Sequence, residues 1–419
     1  MYLDGRTRQR SRADPRRHPV PRGARALGPA FVAAVAYVDP GNVATNTAAG
    51  ATYGYLLLWV VVLATLVAGP VQYLSAKLGI VTGGSLGTWV AGRTSTPARR
   101  LYWAQAEVVA IATDIAEVVG GALAIHLLLD VPLVPAGLLV GAFSIGVLLL
   151  RDRLGPRFFE AVCAASLLGI GGGFVYGLVA RPPSLGEMAA GLLPGLGGPE
   201  TVLLATGIVG ATVMPHAVYL HSGLTAERSQ TDAPHAPHEP RLRWTRVDVT
   251  AAMLVAGSIN VAMLVLGASA LSGGAESIEG VAAGLAERVG EGASTAFLVA
   301  LLCSGLASTA VGTQAGAEIM SSLLRRHVGR LARRLVTLAP ALLLLASGAE
   351  PLWVLVLSQV ALALGLPFAL APLVLATGSA ATMGEHVNGR ALRVVGCAVL
   401  LAVSVLDLAL VGLTLTGRA

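Results

Sequence analysis

Charge is scarce in this chain. Asp, Glu, Lys and Arg make up 12% of its 419 residues, whereas a water-soluble domain carries about 25%. That excludes an ordinary soluble globular domain. Cysteine is rarer still: Cys163, Cys303 and Cys397 lie far apart, with no CxxC pair, which excludes a disulfide framework and a zinc knuckle and leaves small packing residues. HExxH and P-loop patterns are absent, so nothing recommends a zinc metalloprotease or an ATP-driven pump. Glu385-His386 stands alone in a polar stretch. The His235 and His238 loop, PHAPHEP, reads as a flexible linker rather than a metal collector.

What is abundant is apolar surface. Hydrophobic residues make up 55% of the chain, and stretches near the roughly 20 residues needed to cross a bilayer recur along it. Eleven transmembrane helices are expected, near 27–50, 53–76, 101–129, 133–150, 158–180, 201–225, 247–271, 295–324, 333–349, 351–377 and 392–415. The first is not a signal peptide, because it runs past 20 residues and another apolar span follows at once. With the N-terminus inside, all of the 29 Lys and Arg except Arg181, Arg288 and Arg418 fall in cytoplasmic segments. The positive-inside rule therefore supports this orientation and an odd span count, with the C-terminus outside. It also accounts for the net charge of +6 without nucleic acid. The 51 glycines, many within spans, suit close helix packing in lipid.

Two spans carry breaks. In AYVDPGN, Pro40 lacks an amide proton and Gly41 releases the backbone from helical geometry. A break at membrane depth is tolerated only where it faces protein or a water-filled cavity. Asp39 and Asn42 are thus expected to point inward, beside carbonyls such as that of Ala36. In GIVGATVMPHAVYLHS, Pro215 interrupts the sixth span between Met214 and His216. Matching breaks five spans apart point to an inverted-repeat transporter with its site near the midplane. Such a layout divides the chain into a basic tail (1–26), repeat 1 (27–180, helices 1–5), repeat 2 (201–377, helices 6–10) and a last helix with the C-terminus (392–419). Asp39, Asn42 and the carbonyls of Ala36 and Ala211 offer hard oxygen ligands, and Met214 a soft thioether. A mixed set of this kind suits transition metals better than Mg²⁺.

The third span holds Glu107, Asp114 and Glu117, which share one face at about 100° per residue. Arg333 and Arg334 open the ninth span, Arg228 ends the sixth, and His216 and His221 lie on the sixth span's inner half. Histidine titrates near neutral pH. On the residues alone, these groups serve equally well as a proton relay from Asp39 or as static salt bridges.

DPGN in the first span and MPH in the sixth resemble the signature motifs of the Nramp family of divalent-metal transporters. AEVVAIATDIAEVVGGAL resembles the family's third span, GLASTAVGTQAG its eighth and LVLSQVALALGLPFALAPL its tenth. The likeness runs from about residue 27 to 415. It implies an all-α membrane protein with a LeuT-like 5+5 inverted repeat broken in helices 1 and 6. It further implies proton-coupled uptake of Mn²⁺ or Fe²⁺, with Co²⁺ and Cd²⁺ also carried, across a bacterial-type plasma membrane. Carried over by position, Asp39, Asn42 and Met214 match the metal ligands. The Ala36 and Ala211 carbonyls join in some conformations, and Gln359 when the site is occluded. The same likeness favours the relay of Asp39, His216, Glu117, Asp114 and the ninth-span arginines. No cofactor beyond the cargo metal and protons is implied. The competing readings are a sodium- or proton-coupled amino-acid-type symporter on the same fold, which has no use for a soft ligand, and a cation channel, whose filters are repeated by oligomeric symmetry. A single chain with two breaks fits a monomeric carrier better. A membrane enzyme is a third, remote alternative.

Overall fold

The computed structural model describes residues 28–231, 237–271, 277–325 and 329–416. The basic tail, His235, Arg326 and Arg418 lie outside these. All regular structure among the described residues is helical. In chain order the helices are α1 (Pro29–Ala36), α2 (Pro40–Tyr53), α3 (Leu58–Thr82), α4 (Leu86–Arg93), α5 (Thr96–Leu129), α6 (Leu133–Leu154), α7 (Pro156–Ala180), α8 (Leu185–Gly191) and α9 (Pro199–Thr212). They continue as α10 (Pro215–Thr231), α11 (His238–Ala270), α12 (Ile278–Arg288), α13 (Glu291–Leu324), α14 (Arg330–Ser347), α15 (Pro351–Gly378), α16 (Ala380–Met383) and α17 (Arg390–Leu415).

Among the described residues, nine helical segments are long and apolar enough to cross a membrane, with α9 and α10 together forming one of them. Two of the expected spans take another form. The first is split into α1 and α2, each too short alone. The ninth is α14, which places Arg333 and Arg334 near its start and Pro340 inside. Both arginines are buried against protein. Four short helices, α4, α8, α12 and α16, were not expected, since they sit in connections without an apolar run. α11 begins about two and a half turns before the expected 247, because RLRWTRVD continues the helix beyond the apolar stretch.

The interior is assembled from small residues. α5 lies along α13 where Gly121 meets Gly305; a methyl group on Gly305 would lie 2.7 Å from the Gly121 Cα. α2 lies along α11 in the same way, with Gly50 against the Leu264 carbonyl and Gly267 against the Thr47 carbonyl. Such stripes let backbones approach where lipid supplies no hydrophobic drive between helices. About a third or less of the apolar windows of α6, α7 and α17 is buried, against 78% for α5 and for α9 with α10. The first three therefore face lipid, and the broken helices and α5 form the centre.

The breaks are satisfied from neighbouring helices. At the first, the Tyr37 and Val38 amides donate back to Ala34 (3.0 Å) and Val35 (3.2 Å). The Tyr37 carbonyl accepts from Asn260 Nδ2 of α11 (2.9 Å) and the Val38 carbonyl from Ser304 Oγ of α13 (2.5 Å). An unpaired carbonyl at this depth would cost several kcal/mol. These two side chains are what make a break possible there.

Candidate functional site

Asp39 caps α2. Its Oδ1 accepts from the Asn42 amide (2.7 Å) and from Asn42 Nδ2 (3.0 Å). Asn42 Nδ2 also donates to the Ala211 carbonyl at the end of α9 (2.8 Å). Gln359 Nε2, from α15, reaches the other carboxylate oxygen of Asp39 (3.2 Å). Gly41 leaves room for it, since a side chain there would collide with the Gln359 amide. Four of the residues singled out in the sequence thus form one hydrogen-bonded knot between the two breaks. Asp39, Asn42 and Gln359 are fully buried. Met214 occupies the second break itself, fully buried between α9 and Pro215, and Ala36 closes α1 at the first. Helices end at Ala36 and Thr212, and the last carbonyls of a helix carry partial negative charge.

Among the described residues no three His, Cys, Asp or Glu side chains gather as a metal-binding group. A cation held between the breaks would meet the Asp39 carboxylate with amide, carbonyl and thioether atoms around it. His238, read as part of a linker, is instead the first residue of α11 and packs edge-on against His386 with ring centres 5.3 Å apart.

The acids of α5 form a ladder against α13 and α14. Glu107 pairs with Arg333 (2.8 Å) and Asp114 with Arg334 (2.8 Å). Glu117, fully buried, has neither carboxylate oxygen hydrogen-bonded. It lies against Gly312, where a methyl group would come within 2.7 Å of its Oε2. Gly316 accommodates the Arg333 guanidinium in the same way. His216 Nδ1 lies 3.4 Å from Thr113 Oγ1, one residue from Asp114, and its Nε2 is buried without a partner. His216 thus bridges the second break and the ladder.

Two expected members lie elsewhere. His221 Nδ1 donates to Gln72 Oε1 of α3 (2.7 Å), and Gln72 Nε2 donates to the Tyr37 hydroxyl below the first break. Arg228 pairs with Glu160 of α7 (3.5 Å), close to where Asp248 caps the start of α1 through Gly28 and Ala30 (3.0 Å each). Neither joins the α5 acids in this arrangement. Gln72, Thr113, Asn260 and Ser304 were not anticipated. The signal for Gln72 and Asn260 was present, as amides inside apolar spans mark buried partners.

Two discontinuous helices facing each other at mid-depth, with an acidic cap on one, define a carrier of the broken-helix, inverted-repeat class. A nucleobase-cation-symport-1 family transporter in a closed conformation shares the fold, with a TM-score of 0.61 at 16% identity over 94% of this chain and 93% of that one. The chain belongs to the Nramp family: the model described as natural resistance-associated macrophage protein-like matches residues 30–413. It is 51% identical over 393 residues to the divalent metal cation transporter MntH of Mycobacterium tuberculosis, covering 93% of this chain and 92% of that protein. It is 44% identical to the MntH of Deinococcus radiodurans, covering 90% and 88%. The crystal structure of an Eremococcus coleocola manganese transporter in complex with an aromatic bis-isothiourea substituted compound superposes with a TM-score of 0.83 at 32% identity, covering 92% and 86%.

Proposed function

We propose that this protein imports divalent transition metal ions, Mn²⁺ or Fe²⁺ with Co²⁺ and Cd²⁺ as further cargo, coupled to protons, by alternating access. The observation that carries the reading is the knot of Asp39, Asn42, Ala211 and Gln359 at paired helix breaks, with Met214 in the second break. Metal binding replaces hydrogen bonds in that knot. Asn42 now points its amide nitrogen at Asp39 and Ala211, so the ion is met when the amide turns its oxygen inward. Gln359 Oε1 is buried without a partner and is the atom available to join the ion. The carbonyls of Ala36 and Ala211 complete an oxygen-rich shell, and Met214 supplies the soft ligand. Asp39 and His216 then pass protons towards Glu117, Asp114 and the Arg333–Arg334 pair. An inside-negative potential favours cation entry by about 2.3 kcal/mol per charge per 100 mV. The N-terminus lies in the cytoplasm and the C-terminus outside a bacterial-type plasma membrane. Eleven spans, five in each repeat and one added, act within a single copy of the chain.

Uptake of Mn²⁺ into proteoliposomes, with and without an inward pH gradient, tests this. Accumulation that rises with the gradient and acidifies the lumen is expected. Uptake indifferent to protons, or driven by sodium, would overturn the coupling. Met214→Ala tests the soft ligand. With only oxygens left, Ca²⁺ and Mg²⁺ should compete about tenfold better against Mn²⁺, roughly 1.4 kcal/mol of lost preference, and Cd²⁺ should suffer most. Discrimination equal to the parent protein's would make Met214 a packing residue.

A further inference from the structure

One charged residue interrupts α17 beyond its first turn. Asp407 lies on the stripe Gly396, Val399, Val403, Asp407 and Leu410 that packs inward, and is 7% exposed. Both of its carboxylate oxygens are buried without a hydrogen-bond partner.

The helices packed against α17 are α15, α9 and α3. α15 has no titratable residue along its length. α9 has only Glu200 in its first turn, bonded to Tyr53. α3 has Tyr73 and Lys77 in its last third, and Lys77 is engaged by Asn388 (3.0 Å). On α17 itself, Arg390, Arg393 and Cys397 sit at the opposite end. Ser404, one turn away, donates to the Leu400 carbonyl (2.8 Å). Among the described residues no cation or hydrogen-bond donor is placed to hold Asp407 as a carboxylate, and an unpaired buried charge is among the costliest arrangements a fold can contain.

Depth supplies the alternative. Gly396 packs against Val374 of α15, and the two helices run in opposite directions. Eleven residues further along α17, about 16 Å, Asp407 reaches the level of Ala363. Pro367 has no amide proton, so the carbonyl four residues before it, that of Ala363, is left without its helical donor. A carboxylic acid at this level has one O–H to give and a carbonyl in need of one. Gln359, which donates to Asp39, lies one turn away on the same helix.

We infer that Asp407 is a proton-binding site, separate from the α5 ladder, that keeps its proton while α17 is packed against α15 as it is here. Its ligand is the proton alone. The inference stands on packing and does not depend on which cargo the carrier takes.

The test is Asp407→Asn, the uncharged mimic of the acid form, read without any transport assay. Folded protein that retains a proton its unfolded chain gives up must lose stability as pH rises, by about tenfold in the folding constant per pH unit above the ordinary carboxylate range. Melting of purified full-length protein in one detergent, across pH 5 to 9, should therefore show Asp407→Asn gaining on the parent by several degrees towards alkaline pH. Infrared spectra at neutral pH should show a protonated-carboxyl carbonyl band that is missing in the variant. A melting difference constant across pH, or an unchanged band, would overturn the proposal and make Asp407 an ionised or merely structural residue.

Discussion

Asp39→Ala is expected to reduce metal uptake at least a hundredfold while leaving folded yield near normal. The substitution removes the carboxylate that sits between the two breaks, and among the described residues no three His, Cys, Asp or Glu side chains gather as a group that could take its place. It also removes three hydrogen bonds, to the Asn42 amide, the Asn42 side chain and Gln359. Loss of the cap alone costs about 1 kcal/mol, too little to unfold a helix held on every side by α5, α9, α11 and α15. Asp39→Asn separates the two roles, because an asparagine still caps α2 but carries no charge. If capping were the whole function, Asp39→Asn would transport normally. The expected result is that both variants fold, give normal size-exclusion profiles and fail to accumulate Mn²⁺. Normal uptake by either well-folded variant would refute the assignment of the site.

How much of this was readable in the sequence depends on which physical constraint was local. Proline chemistry is local, so Pro40 and Pro215 announced both breaks and the residues beside them. The acids of α5 were legible too, because a seven-and-three spacing on a helix puts Glu107, Asp114 and Glu117 within about 80° of one another. The partners were less so. His216 and His221 share a helix but are five residues apart, which turns them about 140° from each other. One faces Thr113 and the other Gln72. Arg228, about 120° round from His216, likewise faces Glu160. The arginines at the start of α14 met the acids as expected, since burial leaves a guanidinium few other partners. The side chains that repair the first break, Asn260 and Ser304, come from helices more than 200 residues away. Nothing in AYVDPGN specifies which helix will approach it. Gly305, Gly312 and Gly316 are a further case: they read as packing glycines, yet two of them make room for Glu117 and Arg333.

The ladder gives the last test, because its members differ in what they hold. Asp114 is engaged by Arg334, whereas Glu117 has no hydrogen-bond partner. If these acids only fasten helices, Glu117→Gln should change little, and Asp114→Asn should lower stability and depress metal and proton fluxes together. If they carry protons, Glu117→Gln should leave the fold intact, keep part of the metal flux, and cut metal-driven proton entry about tenfold or more. Arg334→Ala is the control for scaffolding. It strands Asp114 beside Glu117 in a buried site, a loss of about 3–5 kcal/mol, and should reduce folded yield in a way that Glu117→Gln does not. Internal Mn²⁺ or Co²⁺ and internal pH are followed by two dyes in one vesicle preparation. The relay reading expects metal entry without matching acidification in Glu117→Gln, and a flattened pH dependence of uptake in Asp114→Asn. Equal loss of both fluxes in the two acid variants, with metal binding retained, would return Glu107, Asp114 and Glu117 to the role of struts between α5, α13 and α14. The unbonded carboxylate of Glu117 argues against that outcome, since a strut is made of pairs and Glu117 has none.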